Sequence, residues 1–243
     1  MSKKPPPGRC VHCLKEFSDL TWDHVFPVAW YFNETPPNFE KWKVPSCEPC
    51  NASHGRMEND LLVRIGLCLD PNHPDTGPIV AKALRALNAG SASNPKDAAA
   101  RNAKLLKITK QAQMVAAMKI PSESVYPSFG PTSADGKART GLLVPKRAID
   151  ALAKKLVRGV TYLQDGRFIE PPYEVVCYVP TEEGVAEIFG PPAEQFSSHD
   201  RRPALVVHRS VREDGMSAIY RIEIWSRLRI CATVLDPAHD AVT

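Results

Sequence analysis

An α+β protein is expected from this chain, with a metal-stapled module at the N-terminus, helices in the middle and antiparallel strands at the end. Three features carry that expectation. Two Cys-x-x-Cys pairs, Cys10/Cys13 and Cys47/Cys50, bracket an Asp-His dipeptide. Later stretches repeat apolar residues at helical spacing, and from Tyr173 onward apolar and polar residues alternate as in half-buried strands. The chain is accordingly read as a metal-bound module over residues 1–68, a helical connector over 69–120, and an α+β domain over 121–243. That last domain is assigned to substrate binding, oligomerisation or contact with a partner.

The 243 residues, 43% of them hydrophobic, are enough to bury a core in one large domain or two small ones. No run of about 18 apolar residues is present, so no membrane contact is expected. The opening M-S-K-K-P-P-P-G lacks the apolar stretch of a signal peptide and reads as a flexible arm. A cytoplasmic location follows as the expectation, where thiols stay reduced and paired cysteines point to metal. Cys68, Cys177 and Cys231 have no such pairing and are expected as buried small side chains. The net charge is +4. Positive charge gathers in Lys96 to Lys119 and in Lys137 to Arg158, and two readings stand equally: patches that neutralise phosphates, or solvated helix faces.

Four thiolates in two short knuckles can close a tetrahedral shell with sulfur at ~2.3 Å from one Zn²⁺, and a full shell makes that zinc structural. His12, inside the first knuckle, is expected to be exposed, because four cysteines already complete the shell. Between the knuckles stand Asp23 and His24, flanked by Trp22, Val25 and Phe26 as in a buried hairpin anchor. In the loop from Ala29 to Val44, Trp30, Tyr31, Phe32, Phe39 and Trp42 are expected to cover a small core. After Cys50 a helix is expected from about Asn51 to Leu67. Its N-terminus would aim free N–H groups at the thiolates and at an incoming phosphate. Asn51 then sits one residue past the last thiolate, so the zinc fixes the helix start that fixes Asn51. A carboxylate oxygen from Asp23 and an amide oxygen from Asn51 suit a hard cation such as Mg²⁺. A neutral His24 imidazole beside that cation can take a proton from water. Together they fit metal-assisted attack on a phosphodiester.

D-H-V-F-P followed by C-E-P-C-N resembles the HNH, or ββα-metal, endonucleases, in particular their zinc-stapled four-cysteine branch, over about the first quarter of the chain. The resemblance implies a treble-clef-like ββα-metal module that cleaves DNA rather than RNA. It assigns His24 as general base, Asp23 and Asn51 as ligands of a catalytic Mg²⁺ or Mn²⁺, and Asn38 as the prop of the loop that carries the base, with Asn33 as the rival. The family's last histidine is Asn51 here. His54 and Glu58 follow Asn51 by one and two helical turns. For His54 the readings are contact with a phosphate, assistance to the metal, or an ordinary surface position; Glu58 orients a ligand or is solvated. Arg56 and Arg64 clamp phosphate oxygens or lie on the surface, and Asp60 is expected to be solvated. The alternative function is a zinc-knuckle module that binds nucleic acid without catalysis; a third is a scaffold whose basic helices face an acidic partner.

Leu69 to Pro78 is rich in turn residues, with His73 exposed. A helix is expected over Ile79 to Ala89, then a linker with an N-cap and a Pro start. A second helix is expected over Lys96 to Met118, where Leu105, Ile108, Ala112 and Val115 oppose Lys104, Lys107 and Lys110. Ser122 to Leu142 is irregular, and a third helix spans Pro145 to Arg158 through Ile149, Leu152 and Leu156. Strands are expected at Tyr173 to Val179, Ala204 to Arg212 and Ala218 to Val234, with a short helix near Glu182 to Phe189. No chemical constellation is visible in this half, which is the candidate surface for homo-oligomer formation; His199, His208 and His239 read as ordinary residues.

Overall fold

The computed structural model describes residues 4–32, 42–115, 139–142, 144–180, 184, 196–202 and 204–240. Asn33, Asn38 and Phe39, together with nearly all of the helix expected near Glu182 to Phe189, lie outside the described residues. In chain order the elements are β1 (Gly8–Arg9), β2 (Glu16–Phe17), β3 (Thr21–His24), a 3-10 turn (Val28–Trp30), β4 (Lys43–Ser46), α1 (Glu48–Gly66), α2 (Gly77–Leu87), α3 (Pro95–Gln111), β5 (Ala112–Val115), β6 (Arg139–Leu142), α4 (Lys146–Asp165), β7 (Glu174–Tyr178), β8 (Ser197–Arg201), β9 (Leu205–Val211), β10 (Ala218–Ile224), β11 (Leu228–Leu235) and α5 (Pro237–Asp240). The α+β class and the antiparallel sheets agree with the sequence. Among the described residues no helix is long and apolar enough to cross a membrane.

The chain divides into two compact units, residues 1–58 with 149–243, and residues 59–148. In the first unit β1 pairs with β2, and β3 pairs with β4 with Asp23 opposite Val44 and His24 opposite Lys43. The five-stranded sheet runs β7-β11-β10-β9-β8, all antiparallel. Along β10 the burial alternates, with Ala218, Tyr220, Ile222 and Ile224 inward. The apolar stripe of α4, Ile149, Leu152, Ala153, Leu156, Val157 and Val160, is buried. A polar seam also joins α4 to the sheet: Thr161 Oγ1 lies 2.7 Å from Tyr220 Oη, Arg209 Nε donates to that oxygen at 2.9 Å, and Arg209 Nη1 donates to Asp165 Oδ1 at 3.0 Å. Burying an arginine is tolerable here because its donors are met.

The long alternating run at Ala218 to Val234 is two strands and not one. Trp225 and Ser226 adopt φ of 53° and 55°, and Arg227 N closes the turn on Ile224 O at 3.1 Å. Trp225 then packs on Trp30 with ring centroids 4.8 Å apart and donates Nε1 to Trp30 O at 3.0 Å. The aromatic cover expected of Trp30, Tyr31 and Phe32 is present, and all three are buried.

In the second unit Val63, Leu87 and Ile108 form an apolar cluster. At Gly66 a Cβ would stand 2.6 Å from Ala83 Cβ, so the close crossing of α1 and α2 requires glycine. Asn94 caps α3 by accepting from Asp97 N at 2.9 Å, and Pro95 begins the helix, as the linker sequence implies. The helix stops at Gln111 instead of Met118 because the chain passes directly into β5. Arg64 is not a surface residue: it is buried and donates to Asp60 Oδ2 and Gln111 Oε1, both at 2.7 Å. Asp60 is therefore half-buried in an ion pair and not simply solvated.

Candidate metal centres

The first knuckle is a tight turn between β1 and β2. Leu14 takes φ 65°, Leu14 N donates to Cys10 O at 2.9 Å, and Cys10 N donates to Lys15 O at 2.9 Å. Val11 N donates to Pro45 O at 3.0 Å, which ties this turn to β4. Cys47 follows β4 directly and Cys50 lies in the first turn of α1, so strand end and helix start bring the second pair to the first. The four sulfurs lie within 4.8 Å of one another, and Cys13 Sγ is 3.8 Å from Cys47 Sγ. A tetrahedron with ~2.3 Å zinc–sulfur bonds has edges of about 3.8 Å, so the cysteines are spaced to hold one zinc ion.

Their electrostatics agree. Burial pushes Cys10 up, but hydrogen bonds from the backbone at Cys13, Cys47 and His12 outweigh it and bring the thiol down to about 7. Burial and the neighbouring sulfurs push Cys50 well up. Four thiols this close cannot all ionise without a cation among them. Arg158 contributes positive charge near Cys10, Cys13 and Cys50, and it donates to His12 O, which fixes the knuckle from α4.

A second cluster lies beside the first, around Asp23. His54 Nδ1 and His12 Nε2 each stand 3.0 Å from Asp23 Oδ2, and Lys155 Nζ donates to Asp23 Oδ1 at 2.9 Å. Lys155 also bonds Glu58 Oε1. The rings of His12 and His54 meet edge to face with centroids 4.4 Å apart. Four elements of the chain thus converge: the knuckle, β3, α1 and α4. His12 is 6% exposed, Asp23 4% and Lys155 2%, which places the charges out of bulk water. Burial alone would raise the Asp23 carboxyl; the contacts with His12, His54 and Lys155 outweigh it and hold it well below the usual carboxylate range. Burial lowers His12, which keeps its ring neutral near pH 7, and burial raises Glu58 against the pull of Lys155.

His12 is the point on which the structure corrects the sequence reading: it is buried and not exposed. Its Nε2 approaches Asp23 without the alignment of a hydrogen bond, and neither ring nitrogen has a hydrogen-bond partner. A buried imidazole without an aligned hydrogen bond is costly unless something else meets its lone pair. His12, Asp23 and His54 each present one donor atom within 4.8 Å of the others, a group able to hold a metal ion.

The other residues singled out in the sequence fall around this cluster. Asn51 lies in the first turn of α1, and its Nδ2 donates to Thr21 Oγ1 at 3.0 Å and Trp22 O at 3.3 Å, which braces β3 just before Asp23. His24 ends β3, half-buried, and is not in the group that converges on Asp23. Arg56 is exposed. His54 and Glu58 share the helix face turned to Asp23 and Lys155. Lys155 is not legible as a site residue from the motifs, although a signal exists: helical spacing places it at the edge of the apolar stripe between Leu152 and Gly159, where a surface lysine is out of place. At Gly159, one turn on, a Cβ would stand 2.6 Å from Val25 Cγ2, so glycine permits the close approach of α4 that carries Lys155 to Asp23. No protein-family model, curated protein or solved structure matches the chain.

Proposed function

We propose that the protein is a divalent-metal-dependent hydrolase of phosphodiester bonds in DNA, an HNH (ββα-metal) endonuclease stapled by zinc. The observation that carries the proposal is the buried Asp23 carboxylate, met by two imidazoles next to a four-sulfur cluster, on a β3–β4 hairpin followed by α1. Two carboxylates and one ammonium leave the centre with one net negative charge when both acids are ionised. That balance attracts a divalent cation, and the loaded centre, at one net positive charge, then suits a phosphodiester.

The four cysteines hold a zinc that positions the knuckle and the start of α1. Asp23 would hold the second ion, Mg²⁺ or Mn²⁺ by the resemblance, which when bound would supply positive charge to stabilise the leaving 3′-oxygen. Asp23 is its anionic ligand. Asn51, whose amide nitrogen donates to Thr21 Oγ1 and Trp22 O, braces β3 just before Asp23, and its Oδ1 is the atom the resemblance gives to the ion. His24, next along the strand from Asp23, takes the proton of the attacking water. In-line displacement places the entering and leaving oxygens on opposite sides of phosphorus, so the base and the ion ligand belong apart, as adjacent strand residues with diverging side chains are. Cleavage leaves a 5′-phosphate.

The test is nicking of supercoiled plasmid by the purified protein in Mg²⁺ or Mn²⁺ and in chelator. His24→Ala is expected to keep its zinc and lose at least about 100-fold in rate. Undiminished nicking by that variant would remove His24 as the base. Binding of DNA with no metal-dependent product would favour the non-catalytic zinc-knuckle module instead.

A further inference from the structure

We infer that the second ion is held by two imidazoles and one carboxylate oxygen, His12 Nε2, His54 Nδ1 and Asp23 Oδ2, and that this donor set selects a borderline transition ion such as Co²⁺, Ni²⁺ or Zn²⁺ over Mg²⁺. The inference rests on the proposal that Asp23 holds an ion, and not on what that ion does.

The geometry points to this set in three ways. Both nitrogens stand 3.0 Å from the same oxygen, Asp23 Oδ2. Ligands at about 2.0–2.1 Å from one ion, set at right angles, lie about 2.9 Å apart, so the spacing is that of adjacent coordination sites. A hydrogen bond would explain 3.0 Å equally well for His54. It explains His12 less well, because its Nε2 is buried at that distance from Asp23 Oδ2 without hydrogen-bond alignment and its Nδ1 has no hydrogen-bond partner. An ion facing Asp23 meets that nitrogen.

The third observation sets the ion's class. Lys155 holds Asp23 Oδ1 at 2.9 Å, so the carboxylate has one oxygen left for a metal and cannot grip it with two. Mg²⁺ wants oxygen ligands and keeps most of its water, whereas imidazole suits the later transition ions. A centre with two imidazoles and a single carboxylate oxygen belongs to the second group. Lys155 is a positioning residue here: its ammonium decides which oxygen of Asp23 faces the imidazoles. His12 also sits between Cys10 and Cys13, so the knuckle that the first zinc folds carries a ligand of the second ion. Filling of the two centres is therefore ordered, four cysteines first.

Cobalt titration of the full-length protein, zinc-loaded at the cysteines, tests this. Co²⁺ is expected to reach one further ion per chain by elemental analysis, with visible bands that lack thiolate charge transfer, and a large excess of Mg²⁺ should not displace it. His54→Ala is expected to keep one zinc per chain and lose at least about tenfold in Co²⁺ affinity. His12→Ala should do the same, and if that variant loses its zinc, His54→Ala decides. Saturation with no second ion, unchanged Co²⁺ binding by His54→Ala, or displacement by equimolar Mg²⁺ would overturn the inference. A second ion bound as described in a protein that does not nick DNA would uphold it while defeating the endonuclease.

Discussion

Replacing Lys155 with methionine removes the only ammonium in contact with Asp23 and Glu58 among the described residues, while keeping a side chain of similar length in the packed helix face. Asp23 is then a buried carboxylate whose Oδ1 has lost its donor. Removing one partner of a buried ion pair typically costs about 3–5 kcal/mol. No large discount for solvent applies, because the lysine side chain is 1% exposed and that of Asp23 5%. At about 2–4 °C per kcal/mol for a chain of this size, Lys155→Met should melt roughly 6–20 °C below the parent. The sign with pH follows from Asp23. Its folded value lies below the ordinary one, so the stabilisation is present above the ordinary carboxylate pKa and is lost as pH falls through the lower folded value. Parent and variant should therefore differ fully near neutrality, and the difference should begin to shrink only below the ordinary carboxylate pKa, where the unfolded chain takes up the proton that folded Asp23 still refuses. The assay is thermal unfolding by circular dichroism between pH 3 and pH 7, on the parent, Lys155→Met, Asp23→Asn and the double variant. The double variant should recover more than about 1 kcal/mol relative to the sum of the single changes. A neutral-pH difference under about 1 kcal/mol, or strict additivity, would refute the view that Lys155 holds Asp23.

Further outcomes follow from other contacts. Gly159→Ala forces a methyl against Val25 and should cost about 1–3 kcal/mol, with Val25→Ala in the same chain restoring part of it; equal melting temperatures would show that α4 approaches less closely than described. Cys50→Ser should bind zinc more weakly and raise amide exchange across residues 8–24, since structural zinc contributes folding free energy directly, and unchanged protection there would detach the knuckle from the metal. Trp225→Phe leaves Trp30 O without its buried donor and should cost about 1–3 kcal/mol in a denaturant titration; an unchanged midpoint would mean that the contact contributes nothing.

The parts of the fold that a sequence can announce are those written in neighbouring residues. The Cys-x-x-Cys spacing, the helix after Cys50, the Asn94-Pro95 start of α3 and the alternation in β9 and β10 are local patterns, and each is present. The turn that splits the last alternating run is hidden, because Trp225 and Ser226 occupy left-handed conformations usually given to glycine or asparagine. The end of α3 is hidden too, since the apolar residues that continue its helical spacing at Ala112 and Val115 belong to β5. The cysteines and Asp23 are readable as ligands, whereas counting a full zinc shell sets His12 aside. That count describes the four sulfurs and is silent about the second group of donor atoms beside them. Lys155 stands 132 residues from Asp23, and tertiary contacts such as the packing of Gly159 on Val25 and the bond from Arg158 to His12 O bring it there.

That separation also has a meaning in time. Chains leave the ribosome at about 5–20 residues per second, so Asp23 emerges roughly 7–26 s and Glu58 roughly 5–19 s before the lysine that completes their charge balance. During that interval a nascent polypeptide with its sulfur clasp already closed carries two acidic groups with no ammonium between them. The centre is complete only when a much later helix arrives, so truncation between the end of α1 and the start of α4 yields a product that keeps all four cysteines yet lacks a finished pocket.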